Sequence, residues 1–158
     1  MPKLFPSEAK PSQMKEVIWL IKSNKGSMSL SRLSKTIHQN IDEMLPLLDA
    51  CTMLGILKVS DAHVSLTGQG RKLTQANAEP FIARKISGIE PFKSAISILK
   101  KEGELTTMEL SELLKERGIA MYADAEVNAV LLREELFKWT ILFKILKRNQ
   151  KGDSWSVK

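Results

Sequence analysis

The sequence predicts a mainly α-helical fold with small β-hairpins, an α+β class in which one set of elements occurs twice. In residues 54–73 a helical pattern ends at Gly55, two short β-prone runs meet around Asp61, and a helix begins again at Thr67. A shift of 77 residues places Gly26 on Gly103, which indicates a repeat. Since a two-stranded hairpin is unstable alone in water, each hairpin must pack on the helices before it. We therefore predict two tandem winged helix-turn-helix domains.

Four segments follow from this pattern. Residues 1–12 contain Pro2, Pro6 and Pro11 and are predicted to form an extended arm. The first winged-helix domain, with a linking helix, covers 13–76, a connector covers 77–88, and the second winged-helix domain covers 89–158. A chain of 158 residues is long enough for two small cores.

The first domain opens with helical spacing at 13–23. Ser29 is placed to cap a short second helix, and Met28 before it is expected to add an edge strand to the hairpin. The apolar positions predicted to face inward in these two helices are Met14, Val17, Ile18, Ile21, Leu30, Leu33 and Ile37.

The third helix is predicted to begin near Asn40, which forms a capping pair with Glu43. Pro46 interrupts its pattern, so we expect a bend or a start as late as Asp42 or Glu43. The predicted inward positions are Ile41, Met44, Leu45, Leu48 and Cys51 or Thr52.

The first hairpin is predicted to present one apolar face made of Leu57, Val59, Val64 and Leu66. Thr67 then caps a linking helix that is expected to reach about Ala76, and a helical turn is expected at 81–86.

The second domain repeats this plan. Thr106 and Glu109 form a capping box for its second helix, and a third helix is predicted from about Ala123 to Lys138. The second wing is predicted to pair 140–146 with 154–157. The apolar positions that define the first and third helices are Ile89, Phe92, Ile96, Leu99, Val127, Val130 and Leu131.

Composition and motifs argue against catalysis, cofactors and membrane insertion. The single cysteine, Cys51, excludes an internal disulfide and is expected in the core, while His38 and His63 are too few for a zinc site with it. No nucleophile with a neighbouring base is readable, so we expect no enzyme activity. The longest apolar runs are far below the ~20 residues of a membrane span. We expect a cytoplasmic protein.

The order of particular residues resembles a known family. A Leu-Pro-Leu-Leu helix at 45–48, Leu54-Gly55-Ile56, a short wing and Leu66-Thr67-Gly68-Gln69-Gly70-Arg71-Lys72-Leu73 are similar to the C-terminal AAA-associated domain, with similarity from about Lys15 to the end. In that family the domain lies behind the ATPase subunit of nitrate, sulfonate or bicarbonate type ABC transporters. The resemblance implies tandem winged helices and an ABC-type ATPase as partner. This sequence contains no ATPase, so a separate chain is expected to supply it.

Nucleic acid is the competing partner, because the net charge is +6. The predicted third helix argues against it, since Asp42, Glu43 and Asp49 would oppose phosphates in a major groove. A basic wing could still bind the backbone or minor groove of duplex DNA. The favoured interpretation is that the outward lysines protect an edge hairpin from strand addition. The candidate nucleic-acid-binding residues are Lys144, Lys147, Arg148 and Lys151, with a second set of Arg32, Lys35, Lys58, Arg71 and Lys72.

The sequence thus favours a non-catalytic regulatory or adaptor module that acts by binding a protein partner. The alternative is a DNA-binding transcriptional regulator, acting as a homodimer through the basic second wing.

Overall fold

The computed structural model describes Lys3–Lys158, which form two compact units. The N-terminal unit is Pro6–Ala78, and the C-terminal unit is Glu79–Lys158 together with the residues up to Phe5. Each unit combines helices with one three-stranded antiparallel sheet, so the predicted α+β, winged-helix-like fold class is confirmed. Met1 and Pro2 of the predicted arm lie outside the described residues.

The two units share the order helix, strand, helix, helix, strand, strand, to which the first adds a short helix at its end and the second adds a helix at its start and a π-helical turn before the wing. Those of the N-terminal unit are α1 (Pro11–Ser23), β1 (Ser27–Ser29), α2 (Leu30–Ile37), α3 (Ile41–Met53), β2 (Leu57–Ser60), β3 (His63–Leu66) and α4 (Gly68–Arg71). Those of the C-terminal unit are α5 (Ala78–Ile86, beginning at the unit boundary), α6 (Phe92–Glu102), β4 (Leu105–Thr106), α7 (Thr107–Glu116), α8 (Ala125–Leu136), a π-helical turn (Phe137–Ile141), β5 (Leu146–Asn149) and β6 (Ser154–Val157). The helix that directly precedes the wing, called here the third helix, is α3 in the N-terminal unit and α8 in the C-terminal unit.

The first sheet has the strand order β1-β3-β2. The predicted edge strand at Met28 is confirmed, because Met28 pairs with Val64 in antiparallel register. On the other side Val59 pairs with Val64 and Leu57 pairs with Leu66. The predicted apolar face is correct except at Val59, which is exposed near the tip of the wing because it borders an open groove beside α3.

The course of α3 differs from the prediction. It begins at Ile41 and continues through Pro46 to Met53 without a break. The residue whose hydrogen bond Pro46 removes is Asp42, which lies on the solvent side where water can satisfy its carbonyl. Asn40 is the N-cap residue and pairs with Glu43 as predicted, but the pairing differs from a capping box. Its side chain accepts no backbone hydrogen bond, and its Nδ2 donates to Glu43 Oε1 at 3.1 Å.

The buried face of α3 is also rotated from the predicted one. The residues that pack inward are Met44, Leu47, Leu48, Ala50 and Cys51. Ile41 and Leu45, predicted to be inward, are exposed, because at 3.6 residues per turn they lie at the margin of that face. Because α3 packs on α1 and α2, the side of the helix that carries Met44, Leu47 and Cys51 is buried.

After the first wing the linking helix is shorter than predicted. Thr67 caps α4 as expected, accepting from the Gly70 backbone N–H at 3.0 Å, but the helix ends at Arg71. A turn stops it, in which Asn77 Oδ1 accepts from the Thr74 backbone N–H at 2.7 Å before α5 begins. The expected helical turn at 81–86 is part of α5.

The C-terminal unit confirms the capping box and corrects the second wing. Thr106 Oγ1 accepts from Glu109 N at 3.1 Å, and Glu109 Oε1 accepts from Thr106 N at 2.9 Å. Of the segment 140–146, predicted as a strand, Thr140 and Ile141 instead end a π-helical turn that continues α8, residues 142–145 form a turn and a bend, and Leu146 alone is in a strand. Burial of Trp139 and Thr140 keeps the start of the segment helical. The outer strand of the β4-β6-β5 sheet is therefore Leu146–Asn149.

Two further starts differ from the sequence pattern. The helix α1 begins at Pro11, within the predicted arm, since proline is well tolerated in the first turn. The helix α6 begins at Phe92 after Pro91, so Ile89 precedes it. Burial on α6 involves Phe92, Ala95, Ile98 and Leu99.

The arm itself supplies part of the C-terminal core. Phe5 is fully buried and packs edge-to-face on Trp139, with ring centroids 4.9 Å apart, and on Phe92 at 5.8 Å. Its backbone N–H donates to the Glu90 carbonyl at 2.8 Å. An aromatic side chain distant in sequence therefore completes the C-terminal unit.

Candidate binding surfaces

The exposed side of α3 carries two apolar residues beside its acidic ones. Ile41 and Leu45 are 39% and 49% exposed, and Val59 on β2 is 41% exposed. A groove of about 390 Å³ runs between helix and wing, lined by Leu45, Leu48, Asp49, Thr52 and Val59. No lysine or arginine lines this groove among the described residues, and the first turn of α3 carries Asp42 and Glu43.

The third helix of the C-terminal unit has a similar outward side. Val127, Val130 and Phe137 are 41%, 43% and 51% exposed, at spacings of three and seven residues that place them along one side of α8 and its π-helical turn. A groove of about 340 Å³ beside Phe137 is walled by Arg133, Glu134, Phe137 and Lys138. The sequence pattern had marked the two valines as structural positions. The two valines are exposed because α8 turns a different side to the core, on which the polar residues Asn128 and Glu135 are buried.

Beneath this surface lies a buried carboxyl group. Glu135 is 2% exposed, and burial raises its pKa to about 7, against the opposing effect of Lys138, whose Nζ lies 3.5 Å from Glu135 Oε2. The indole N–H of Trp139 also faces the carboxylate and favours the charged form, although without ordinary hydrogen-bond geometry. Glu135 lies just before the π-helical turn, and its carboxyl group is therefore partly protonated at neutral pH.

The predicted basic residues of the second wing divide into two groups. Lys144, Lys147 and Lys151 are exposed. Arg148 instead makes contacts within the protein. Its Nη2 donates to Asp153 Oδ1 at 3.0 Å, and its guanidinium lies 5.8 Å from the ring centroids of Phe137 and Trp155. The three lysines could contact a phosphate backbone, and Arg148 holds the wing.

Asp153 is the centre of a hydrogen-bond network that the sequence did not reveal. Arg133 donates to both of its carboxylate oxygens, Nη2 to Oδ2 at 2.6 Å and Nε to Oδ1 at 3.0 Å. Thr107 Oγ1 donates to Asp153 Oδ1 at 3.0 Å and accepts from the Trp155 indole N–H at 2.8 Å. Hydrogen bonds from Arg133, then Arg148 and Thr107, lower the pKa of Asp153 to about 2. The network joins α7, α8 and the wing.

The predicted basic set of the N-terminal unit lies on several elements. Arg32 and Lys35 are on α2, Lys58 is on β2, and Arg71 and Lys72 are at the end of α4. All five are exposed, and the guanidinium of Arg71 packs over Gly26, where an added Cβ would lie 2.9 Å from Nη1. The assignment of these residues and of the wing lysines to nucleic acid stays a prediction.

The remaining reactive side chains form no chemical site. Cys51 is fully buried, which confirms its predicted core position, and burial raises the pKa of its thiol to about 12. His38 and His63 are exposed on separate elements. No group of three or more potential metal ligands occurs among the described residues.

Comparison with known families decides the classification. Residues 31–134 match the family described as the C-terminal AAA-associated domain. The chain belongs to this family. The match extends from α2 into α8, so it includes most of both outward helix faces of this AAA-associated domain. No curated protein and no solved structure matches the chain. Within Lys3–Lys158, the helices are all too short or too polar to span a bilayer.

Proposed function

We propose that this AAA-associated domain is a non-catalytic regulatory or adaptor module that binds a protein partner through the outward faces of α3 and α8. The observation that carries the proposal is the exposed apolar stripe on each third helix, Ile41 with Leu45 and Val127 with Val130 and Phe137. Exposed apolar side chains grouped on one surface are typical of protein-interaction sites.

Charge supports a protein over DNA at these faces. A third helix that enters a major groove presents basic and amide side chains to phosphates and bases. Here α3 presents Asp42 and Glu43, and α8 presents Glu126 and Glu134. Carboxylates at these positions oppose the counterion release that supplies most nonspecific affinity for duplex.

The partner that the family suggests is an ABC-type ATPase subunit. The family takes its name from its association with AAA-type ATPase sequences, and no nucleotide-binding loop of the Gly-x-x-x-x-Gly-Lys type occurs in this sequence. An adaptor on such a subunit requires a docking surface and no reactive pocket. The two grooves beside Leu45 and Phe137 provide apolar walls for that purpose.

Binding to purified ABC-type ATPase subunits encoded beside this chain tests the proposal. Biolayer interferometry should show saturable binding by the wild-type chain. Leu45→Asp or Phe137→Asp should weaken it about 30-fold, as expected for a central apolar contact worth about 2 kcal/mol. Met108→Asp is the matched control, because Met108 is also an exposed apolar residue, at 41%, but lies on α7.

A gel-shift experiment with a mixed-sequence duplex tests the alternative of a DNA-binding regulator. Retardation at low salt that disappears on replacing Lys144, Lys147 and Lys151 with glutamine, with no ATPase binding, would refute the adaptor proposal. Light scattering on the same samples tests the predicted homodimer.

A further inference from the structure

The outward side of α6 carries only lysine and serine. The helix buries Phe92, Ala95, Ile98 and Leu99, which fixes its rotation. The exposed residues on the opposite side are Lys93, Ser97, Lys100 and Lys101. With 3.6 residues per turn these four lie within an arc of about 100°. None of them was singled out from the sequence, although their spacing of four, seven and eight residues was visible there.

This side of α6 borders a concave space, which we call the lysine groove. Its volume is about 550 Å³, and it is lined by Ser87, Lys93, Ile96, Ser97, Lys100 and Lys101. Small-molecule sites have volumes of about 300–1,000 Å³, so the lysine groove is large enough for a small ligand. Among the described residues that line it there is no carboxylate.

The three ammonium groups have no ion-pair partner within Lys3–Lys158. This differs from Arg133 and Arg148, which share Asp153. Glu90, the carboxylate just before α6, accepts from the backbone N–H of Ser94 at 2.8 Å and from its hydroxyl, so it caps the helix. Lysines on neighbouring turns repel one another, and an anion between them would remove that repulsion.

We propose that the lysine groove binds a group carrying two or more phosphates. Lys93 and Lys100 are separated by about 10 Å along the helix axis, so a ligand with two or more phosphates can reach ammonium groups at both ends of the row. Lysine binds phosphate as a point charge and provides three donors, and the Ser97 hydroxyl adds another. The Ser87 hydroxyl donates to the Ala83 carbonyl at 2.8 Å, so it offers the ligand only acceptor pairs.

This site lies on α6 and is independent of the proposed protein-docking faces. No arginine, asparagine or glutamine lines the lysine groove to read a base edge, which favours a compact polyphosphate over sequence-specific binding of duplex DNA. Two sources share the chemistry, a soluble polyphosphorylated molecule and a phosphorylated lipid headgroup.

The test is calorimetric titration of the full chain with inorganic tripolyphosphate at low salt. We expect saturable one-to-one binding that weakens as salt is added. The triple variant Lys93→Gln, Lys100→Gln, Lys101→Gln should bind about tenfold more weakly or worse, because it removes three charge-assisted contacts. The matched control replaces Lys10, Lys25 and Lys115, which are exposed and lie outside every candidate binding surface, with glutamine. It removes the same net charge and should change affinity by less than about twofold.

Co-sedimentation with phosphatidylcholine vesicles containing phosphatidylinositol bisphosphate distinguishes the two sources. Groove-dependent sedimentation supports a lipid headgroup, and tripolyphosphate binding without sedimentation supports a soluble ligand. The proposal is overturned if neither probe binds, if both triple variants lose affinity equally, or if a mixed-sequence duplex displaces tripolyphosphate through the same three lysines.

Discussion

Replacing Glu135 with glutamine should stabilise the C-terminal unit at alkaline pH. Burial raises the pKa of Glu135 from its ordinary value of 4.5 to about 7, so the folded state holds a proton that the unfolded state releases. The free energy of unfolding therefore falls as pH rises from about 4.5 to 7 and stays low above that. A difference of about 2.5 pKa units corresponds to roughly 3 kcal/mol. Glu135→Gln keeps the shape and removes the charge.

Urea denaturation followed by tryptophan fluorescence measures the effect. A Trp19→Phe background leaves Trp139 and Trp155 as reporters, both buried in the C-terminal unit. At pH 8 the glutamine variant should unfold at higher urea than its parent, and at pH 4 the two should coincide. The parent alone should lose stability between pH 5 and pH 8.

Glu134→Gln is the matched control, since Glu134 is the adjacent carboxylate and is exposed on α8. It should leave the unfolding midpoint within about 0.5 kcal/mol at both pH values. Asp153 does not confuse the result: its pKa is lowered to about 2, so its stabilisation is lost only as pH falls below about 4. Equal midpoints for parent and Glu135→Gln at pH 8 would refute the reasoning.

Three further outcomes follow from the structure. Phe5→Ala should destabilise the C-terminal unit by about 3–5 kcal/mol in the same urea assay, because it empties the space against Trp139, whereas Phe137→Ala on the surface should cost less than about 1 kcal/mol. Asp153→Asn should cost about 1–2 kcal/mol at pH 7, since asparagine tolerates the positive φ but not the charge pairing. The cost should fall below about 0.5 kcal/mol at pH 2, where half of the carboxyl groups are protonated, and an undiminished difference there would contradict the assignment. Cys51 should react with a maleimide only after unfolding, as mass spectrometry can show, and rapid labelling of the folded chain would contradict its burial.

Local signals in the sequence were sufficient for much of the fold. Ser29, Thr67 and the Thr106–Glu109 pair were assigned as caps because each needs only residues three positions away, and the structure confirms all three. The first hairpin followed from Gly55 and Asp61, whose positive φ angles are those that turns require.

Errors arose where distant residues decide local conformation. The segment 140–146 has β-prone composition, yet its first two residues stay helical because Trp139, just before them, packs on Phe5 in the core. No local pattern contains that information. Leu45 was predicted inward for a similar reason, since apolar spacing alone does not tell which side of α3 the other helices will cover.

The sequence predicted the charge of the candidate surfaces but not where their residues meet in the structure. Acidic residues on α3 were visible in the sequence and already argued against a major-groove helix. The Asp153 network that includes Arg148, and the groove beside the α6 lysines, depend on contacts between residues five to 46 positions apart in the sequence.

By itself the sequence determined the repeat, the helix caps, the first wing and the family, because these depend on periodicity and on contacts within a few residues. Tertiary structure alone decided that the arm supplies Phe5 to a core formed about ninety residues later, that Glu135 is buried, and which apolar side chains remain exposed. The physical reason is that burial depends on which elements pack together, and close packing admits one arrangement among several that the same apolar pattern allows.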